Sequence, residues 1–174
     1  MNISITLSKK DIAKADWVAR RRHESSIERG YLPKNGAPTE KKAALAIDIR
    51  GARAEMAAAL WLEPRNWEYL PDKVKGVADF DGWIDAKAIR KYNHRLIVKQ
   101  DALVDWAYLA VCSEDHPTYN IMGWCYGYEA KQIEPTDPTG HRDEAHFIEL
   151  SNPMIKPPQL LKEINDAKNK MKRV

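Results

Sequence analysis

The sequence predicts an α+β domain: N-terminal helices packed on a mixed, mainly antiparallel sheet of five to six strands, with a helix at the C-terminal end. Three observations carry this. Residues 8–28 and 39–62 are two long runs of helix-forming residues, the first opened by a capping signal. From residue 77 the chain changes to short β-branched or aromatic runs separated by turn residues. Pro157-Pro158 then opens a charged run to about Lys172. Helices followed by a mainly antiparallel meander of strands give segregated layers.

After an extended start, Ser8 is a helix N-cap with Asp11 three residues later, a capping box with Asp in place of Glu or Gln. The helix runs to about Glu28, with Ile12, Ala15, Val18 and Ala19 inward and Gly30 as its stop. Residues 31–41 read as a loop from their Pro, Gly and Asn content. The second helix spans about 39–62, and 63–73, with Pro64 and Pro71, is a connection. Strands follow at 77–80, 83–89, 95–99, 107–112 and 118–126, with Asp81-Gly82 a hairpin turn and His116-Pro117 another reversal. A polar loop at 135–144 leads to a last strand at 146–150 and a helix from about Gln159 to Lys172.

The length fits one domain, residues 1–174, with a real core. Hydrophobic residues make up 44%, which excludes a disordered chain. No apolar run reaches the length of a membrane span, and Met1–Leu7 is too short and too alternating for a signal peptide. The expectation is a soluble cytoplasmic protein. Lys and Arg number 28 against 25 Asp and Glu, so any nucleic-acid contact must come from local clusters and not from the net charge of +3. Cys112 and Cys125 fall in predicted strands and read as buried free thiols. Cys112 and His116 supply two zinc ligands with no further pair, and there is no glycine-rich phosphate loop or nucleophile elbow.

Glu55 stands alone in an otherwise apolar helical stretch, 54–60. A carboxylate there needs a partner or a metal. Gly51, one turn earlier on the same face, would let that face approach a sheet closely. Alternatively Glu55 points outward, or pairs with Arg53 or a nearby Lys. On the following hairpin, alternation puts Asp85 and Lys87 on one face, which Trp83 begins, and the turn can bring Asp79 opposite Asp85. Two carboxylates converging beside a lysine suit Mg²⁺ or Mn²⁺, which prefer oxygen ligands. The plainer alternative is a cross-strand salt bridge.

Taken in chain order, Glu55, Asp79 and Asp85-Ala86-Lys87 resemble the PD-(D/E)XK, restriction-endonuclease-like nuclease superfamily. Its signature is an Asp at a strand end, then Asp or Glu, any residue and Lys, often with a Glu on the preceding helix. The segments 51–57, 95–99 and 123–131 are similar to small phage nuclease-like proteins. The chain departs from the pattern in having Ala78 before Asp79 in place of Pro, and in reducing the usual helix between core strands to 101–106. The resemblance implies a metal-dependent DNA nuclease with Mg²⁺ or Mn²⁺ between Asp79, Asp85 and the carbonyl of Ala86. Glu55 would hold that ion through water, or a second ion, and Lys87 would position the attacking hydroxide. Asp81 is the alternative to Asp79 as first ligand. The host-cell cytoplasm is the compartment implied.

For DNA contact the candidates are Arg20, Arg21, Arg22, Arg90, Lys91, Lys99 and Gln100. A solvated helix face accounts equally for the arginine run, and an exposed strand end for Lys99 and Gln100. The terminal Lys162, Lys168, Lys170, Lys172 and Arg173 read as a soluble tail. A second reading is a catalytically inactive nuclease-fold protein that binds DNA or a protein partner. A third is a homodimer or accessory subunit docking through Trp61, Trp67 and Tyr69, for which core packing is the simpler account.

Overall fold

The capping box at Ser8 forms as its residue types dictate: the Asp11 amide donates to Ser8 Oγ at 3.2 Å, and the Ser8 amide donates to the Asp11 carboxylate at 3.1 Å. It opens helix α1 (Lys9–Glu28), which follows strand β1 (Ile3–Thr6). The computed structural model describes residues 3–29, 41–63, 77–137 and 144–171. The predicted stop at Gly30, the 31–40 loop, Pro64, Trp67, Tyr69, Pro71, residues 138–143, Lys172 and Arg173 lie outside the described residues.

Ala15, Val18 and Ala19 of α1 are fully buried, and the helix packs along α2 (Lys41–Leu62). The Ala-rich face of α2 supplies Ala54, Ala57, Ala58 and Leu62 to the core. A Cβ at Gly51 would meet nothing within 4 Å, so this glycine does not serve a close approach, contrary to expectation.

The remaining strands are β2 (Ile84–Ile89), β3 (Leu96–Lys99), β4 (Ala107–Cys112), β5 (Thr118–Tyr126) and β6 (Ala145–Ile148). They divide between two sheets. A four-stranded sheet has the order β1-β5-β4-β2, while β3 pairs antiparallel with β6 alone. Two sequence expectations are corrected here. Residues 77–80 form no strand; Phe80 makes one isolated bridge to Ile84 across the Asp81-Gly82 reversal. Nor do the strands form a meander. β2 runs parallel to β4, Ile84 opposite Ala107 through Ile89 opposite Cys112, because the turn at 90–94 carries β3 out of the sheet.

All six residues of β4 are buried, the pattern of a strand covered on both faces. Ala107, Leu109 and Val111 join Ile84, Ile121 and Trp124 against α2, whereas Tyr108, Ala110 and Cys112 join Ile89 and Cys125 against Leu96, Val98 and Ile148 of the β3–β6 pair. The sheet therefore has a helical side and a β3–β6 side. The short helix α3 (Gly127–Ala130) and helix α4 (Pro158–Met171) are the other helices among the described residues, and residues 101–106 are turns without a helix. No helix among the described residues is long and apolar enough to cross a membrane.

Candidate functional site

The reversal between Phe80 and Ile84 puts positive φ on two consecutive residues, Asp81 at 49° and Gly82 at 80°. Glycine adopts this without steric cost and aspartate tolerates it, which is why Asp-Gly marks such turns. Asp81 is then held by α4: the side-chain amides of Asn165 and Asn169 donate to its Oδ2 at 2.7 and 3.1 Å. Trp83 also turns to α4, its indole N–H donating to Asn165 Oδ1 at 3.1 Å, with Lys168 Nζ 3.5 Å over the ring. It lies in the turn and not on the strand, so it does not begin the Asp85 face as expected.

Asp79 is placed differently from Asp81. Its Oδ2 accepts from the Ala86 amide at 2.7 Å, so a carboxylate sits where a partner strand's carbonyl would otherwise pair with β2. That nitrogen is bonded to the carbonyl carbon of Asp85. Asp79 is thereby tied to the main chain immediately after Asp85. Of the two candidate first acids, Asp79 contacts the Asp-x-Lys segment.

Asp85 and Lys87 share a face and form an ion pair. Asp85 is buried at 8% exposure, while the Lys87 side chain keeps about a third of its surface open. Beside them lies Tyr108, opposite Asp85 in the parallel register, with Lys87 Nζ 5.7 Å from its ring centroid. Burial, reinforced by the nearby Asp85 charge, raises the pKa of the Tyr108 phenol, whose hydroxyl donates to the Leu103 carbonyl at 3.3 Å. Tyr108 carries no sequence mark beyond its place in the strand. Only the β2–β4 register reveals its part in this cluster.

Glu55 does not join them. Both its oxygens accept from Arg22 Nη1, at 2.9 and 2.8 Å, tying α2 to α1 on the helical side of the sheet. Asp85 and Lys87 share the face of Tyr108 on the β3–β6 side. The expected partner Arg53 is instead bonded through two nitrogens to Asp16, at 2.6 and 2.7 Å.

A hard divalent cation is suited to carboxylate oxygens, and two carboxylates belong to this segment, Asp85 on β2 and Asp79 bonded to β2 at the Ala86 amide. Among the described residues no group of three or more His, Cys, Asp or Glu side chains could hold a metal ion. The three-acid centre is thus not assembled, because Glu55 is already neutralised by Arg22. A two-carboxylate set remains within what Mg²⁺ accepts when water and substrate phosphate complete its shell.

The expected DNA contacts also divide. Arg20 and Arg21 are exposed, but Arg22 is occupied by Glu55. Arg90 and Lys91 are exposed beyond the far end of β2, about 16 Å along the strand from Asp85. Lys99 points outward with Ile97, since Leu96 and Val98 fill the layer against Tyr108, and Gln100 donates to Glu144 at 3.1 Å. Trp61 packs on the helical-side core, and its carbonyl accepts from Lys162 Nζ at 2.6 Å, so core packing describes it better than a docking ring. Cys112 and Cys125 are buried free thiols, and burial pushes Cys125 up to about 12.

Comparisons of the chain with protein families, curated proteins and solved structures gave no match.

Proposed function

We propose that the chain is a divalent-metal-dependent DNA phosphodiesterase whose reactive residues are Asp79, Asp85 and Lys87, with the Ala86 carbonyl between them. The observation that carries this reading is the Asp79 carboxylate on the Ala86 amide, which joins a separate acid to the Asp-x-Lys strand. Asp79 and Asp85 would hold Mg²⁺ or Mn²⁺, which when bound supplies an activated water and offsets charge on the phosphate. Lys87, partly open to solvent, would leave Asp85 to orient the attacking water or meet charge developing on the scissile phosphate. The Tyr108 ring, 5.7 Å from Lys87 Nζ, would help orient it. Glu55 has no ligand role in this reading.

The test is cleavage of plasmid and linear DNA with Mn²⁺ or Mg²⁺. Metal-dependent cutting, stopped by EDTA and reduced at least about a hundredfold in Lys87→Ala and Asp85→Ala, is expected. Cutting without metal, or full activity in a folded Lys87→Ala variant, would refute the assignment.

A second reading, a nuclease-fold protein that binds DNA or a partner without cutting, is favoured by Glu55 being committed to Arg22. Calorimetry with Mn²⁺ on wild type and Asp85→Ala separates the two, since this reading expects no metal uptake by either.

A further inference from the structure

The outer face of α1 carries cations around one exposed aromatic ring. At 100° per residue, Lys10, Lys14, Trp17 and Arg21 fall within an arc of about 60°, extending about 16 Å along the axis. All four are exposed, Trp17 at 55%, and exposed Lys9 and Arg20 lie further round the helix on one side of the arc. The opposite face, Ala15, Val18 and Ala19, is sealed, so Trp17 is not a piece of displaced core. Of the acids near the stripe, Asp11 caps the helix and Asp16 binds Arg53, while exposed Glu28 lies beyond the stripe's C-terminal end. Glu24 bounds the stripe at its C-terminal end, 3.5 Å from Arg21 with both side chains largely in solvent.

We propose that this face of α1 is a docking surface for nucleic acid, with Lys10, Lys14, Arg20 and Arg21 on backbone phosphates and the Trp17 ring against a base of an unpaired strand. A row of cations matches a polyanion, and a flat ring among them offers a stacking platform that is indifferent to sequence. An anionic membrane fits less well, because surface-bound helices insert a broad apolar face, and that of α1 is already buried on α2. The proposal goes beyond the phosphodiesterase reading and does not rest on it, since α1 lies on the helical side of the sheet, away from Asp85 and Lys87.

Fluorescence anisotropy tests it with a labelled strand of about 20 nucleotides and the matching duplex, in EDTA, between about 50 and 200 mM salt. Wild type is expected to bind both, more weakly as salt rises. Lys10→Glu/Arg21→Glu should flatten the log–log salt slope on duplex by about two. Trp17→Ala should weaken strand binding at least about fivefold and leave the duplex slope unchanged. Lys131→Glu/Lys170→Glu, the same charge change at exposed sites elsewhere, should bind as wild type. No DNA binding in EDTA, stripe variants that bind as wild type, equal losses in the control pair, or competition by polyglutamate as effective as by DNA would each overturn the proposal. Because no cutting is involved, a protein that binds through α1 yet cuts nothing with metal would retire only the nuclease reading. One that cuts while binding independently of α1 would retire only this one.

Discussion

Glu55 is conspicuous at the level of single residues, and its neighbours explain both why and how it is accommodated. A charge in an alanine-rich stretch is too costly to leave unanswered, so the sequence alone requires a partner. It does not name one: Arg22 lies 33 residues earlier, in a run of three arginines with nothing to mark which turns inward. The exposures of the pair, 20% and 13%, set it between a surface ion pair and a fully buried one. Arg22→Ala should therefore destabilise the fold by about 2 kcal/mol, read as a lower urea midpoint at unchanged slope. An Arg22→Ala variant as stable as wild type would mean that the bridge contributes nothing. Asp81 offers a similar lesson. Its Asp-Gly turn is legible, but its attachment to Asn165 and Asn169 is not, because the partners stand more than 80 residues on.

Elements were legible where their signal was local. The capping box, β4 at 107–112 and β5 at 118–126 stand where residue types and alternation place them. The 77–80 segment misleads because Val77, Ala78 and Phe80 suit a strand in isolation, while pairing is ended by the turn immediately after them. The glycines of the 123–131 segment also gain meaning only from structure. A Cβ on Gly127 would lie 2.1 Å from the Leu103 carbonyl oxygen and 3.0 Å from Val104 Cα, and the Tyr128 amide donates to the Val104 carbonyl at 2.8 Å. Main chain presses on main chain here, at the end of the sheet nearest Asp85. Gly127→Ala must displace the 101–106 turns and should cost about 3 kcal/mol in chemical denaturation. A Gly127→Ala protein with unchanged stability would show that the turns yield freely. Because Tyr108 anchors its hydroxyl on Leu103, the same substitution should also disturb Lys87.

For the whole molecule, the polar chain Asp16–Arg53–His116–Tyr119 connects both N-terminal helices to the start of β5. A guanidinium can only donate, so His116 Nε2 accepts from Arg53 at 3.2 Å, and Nδ1–H faces the Tyr119 hydroxyl at 3.1 Å. This fixes His116 as neutral, and burial first, then the Arg53 charge, lowers its pKa from 6.5. The unfolded chain consequently takes up the proton more readily. The contribution of the neutral ring is complete above pH 6.5 and is lost as the pH falls below that value towards the lowered folded pKa. Melting temperature should decline between pH 7 and 5 in wild type more steeply than in His116→Asn; parallel profiles would dismiss the effect. What the sequence left hidden at this scale is the route of the chain, because parallel pairing of β2 with β4 depends on β3 leaving for β6. The same global wiring governs assembly. Ser4 bonds to Asn120, 116 residues away in the chain, so one border of the sheet is synthesised well before its mate and must wait for it. The α1–α2 pair can coalesce during synthesis, whereas closure of the sheet is deferred until β5 has been made, and the waiting segment is the stretch most open to wrong partners in the meantime.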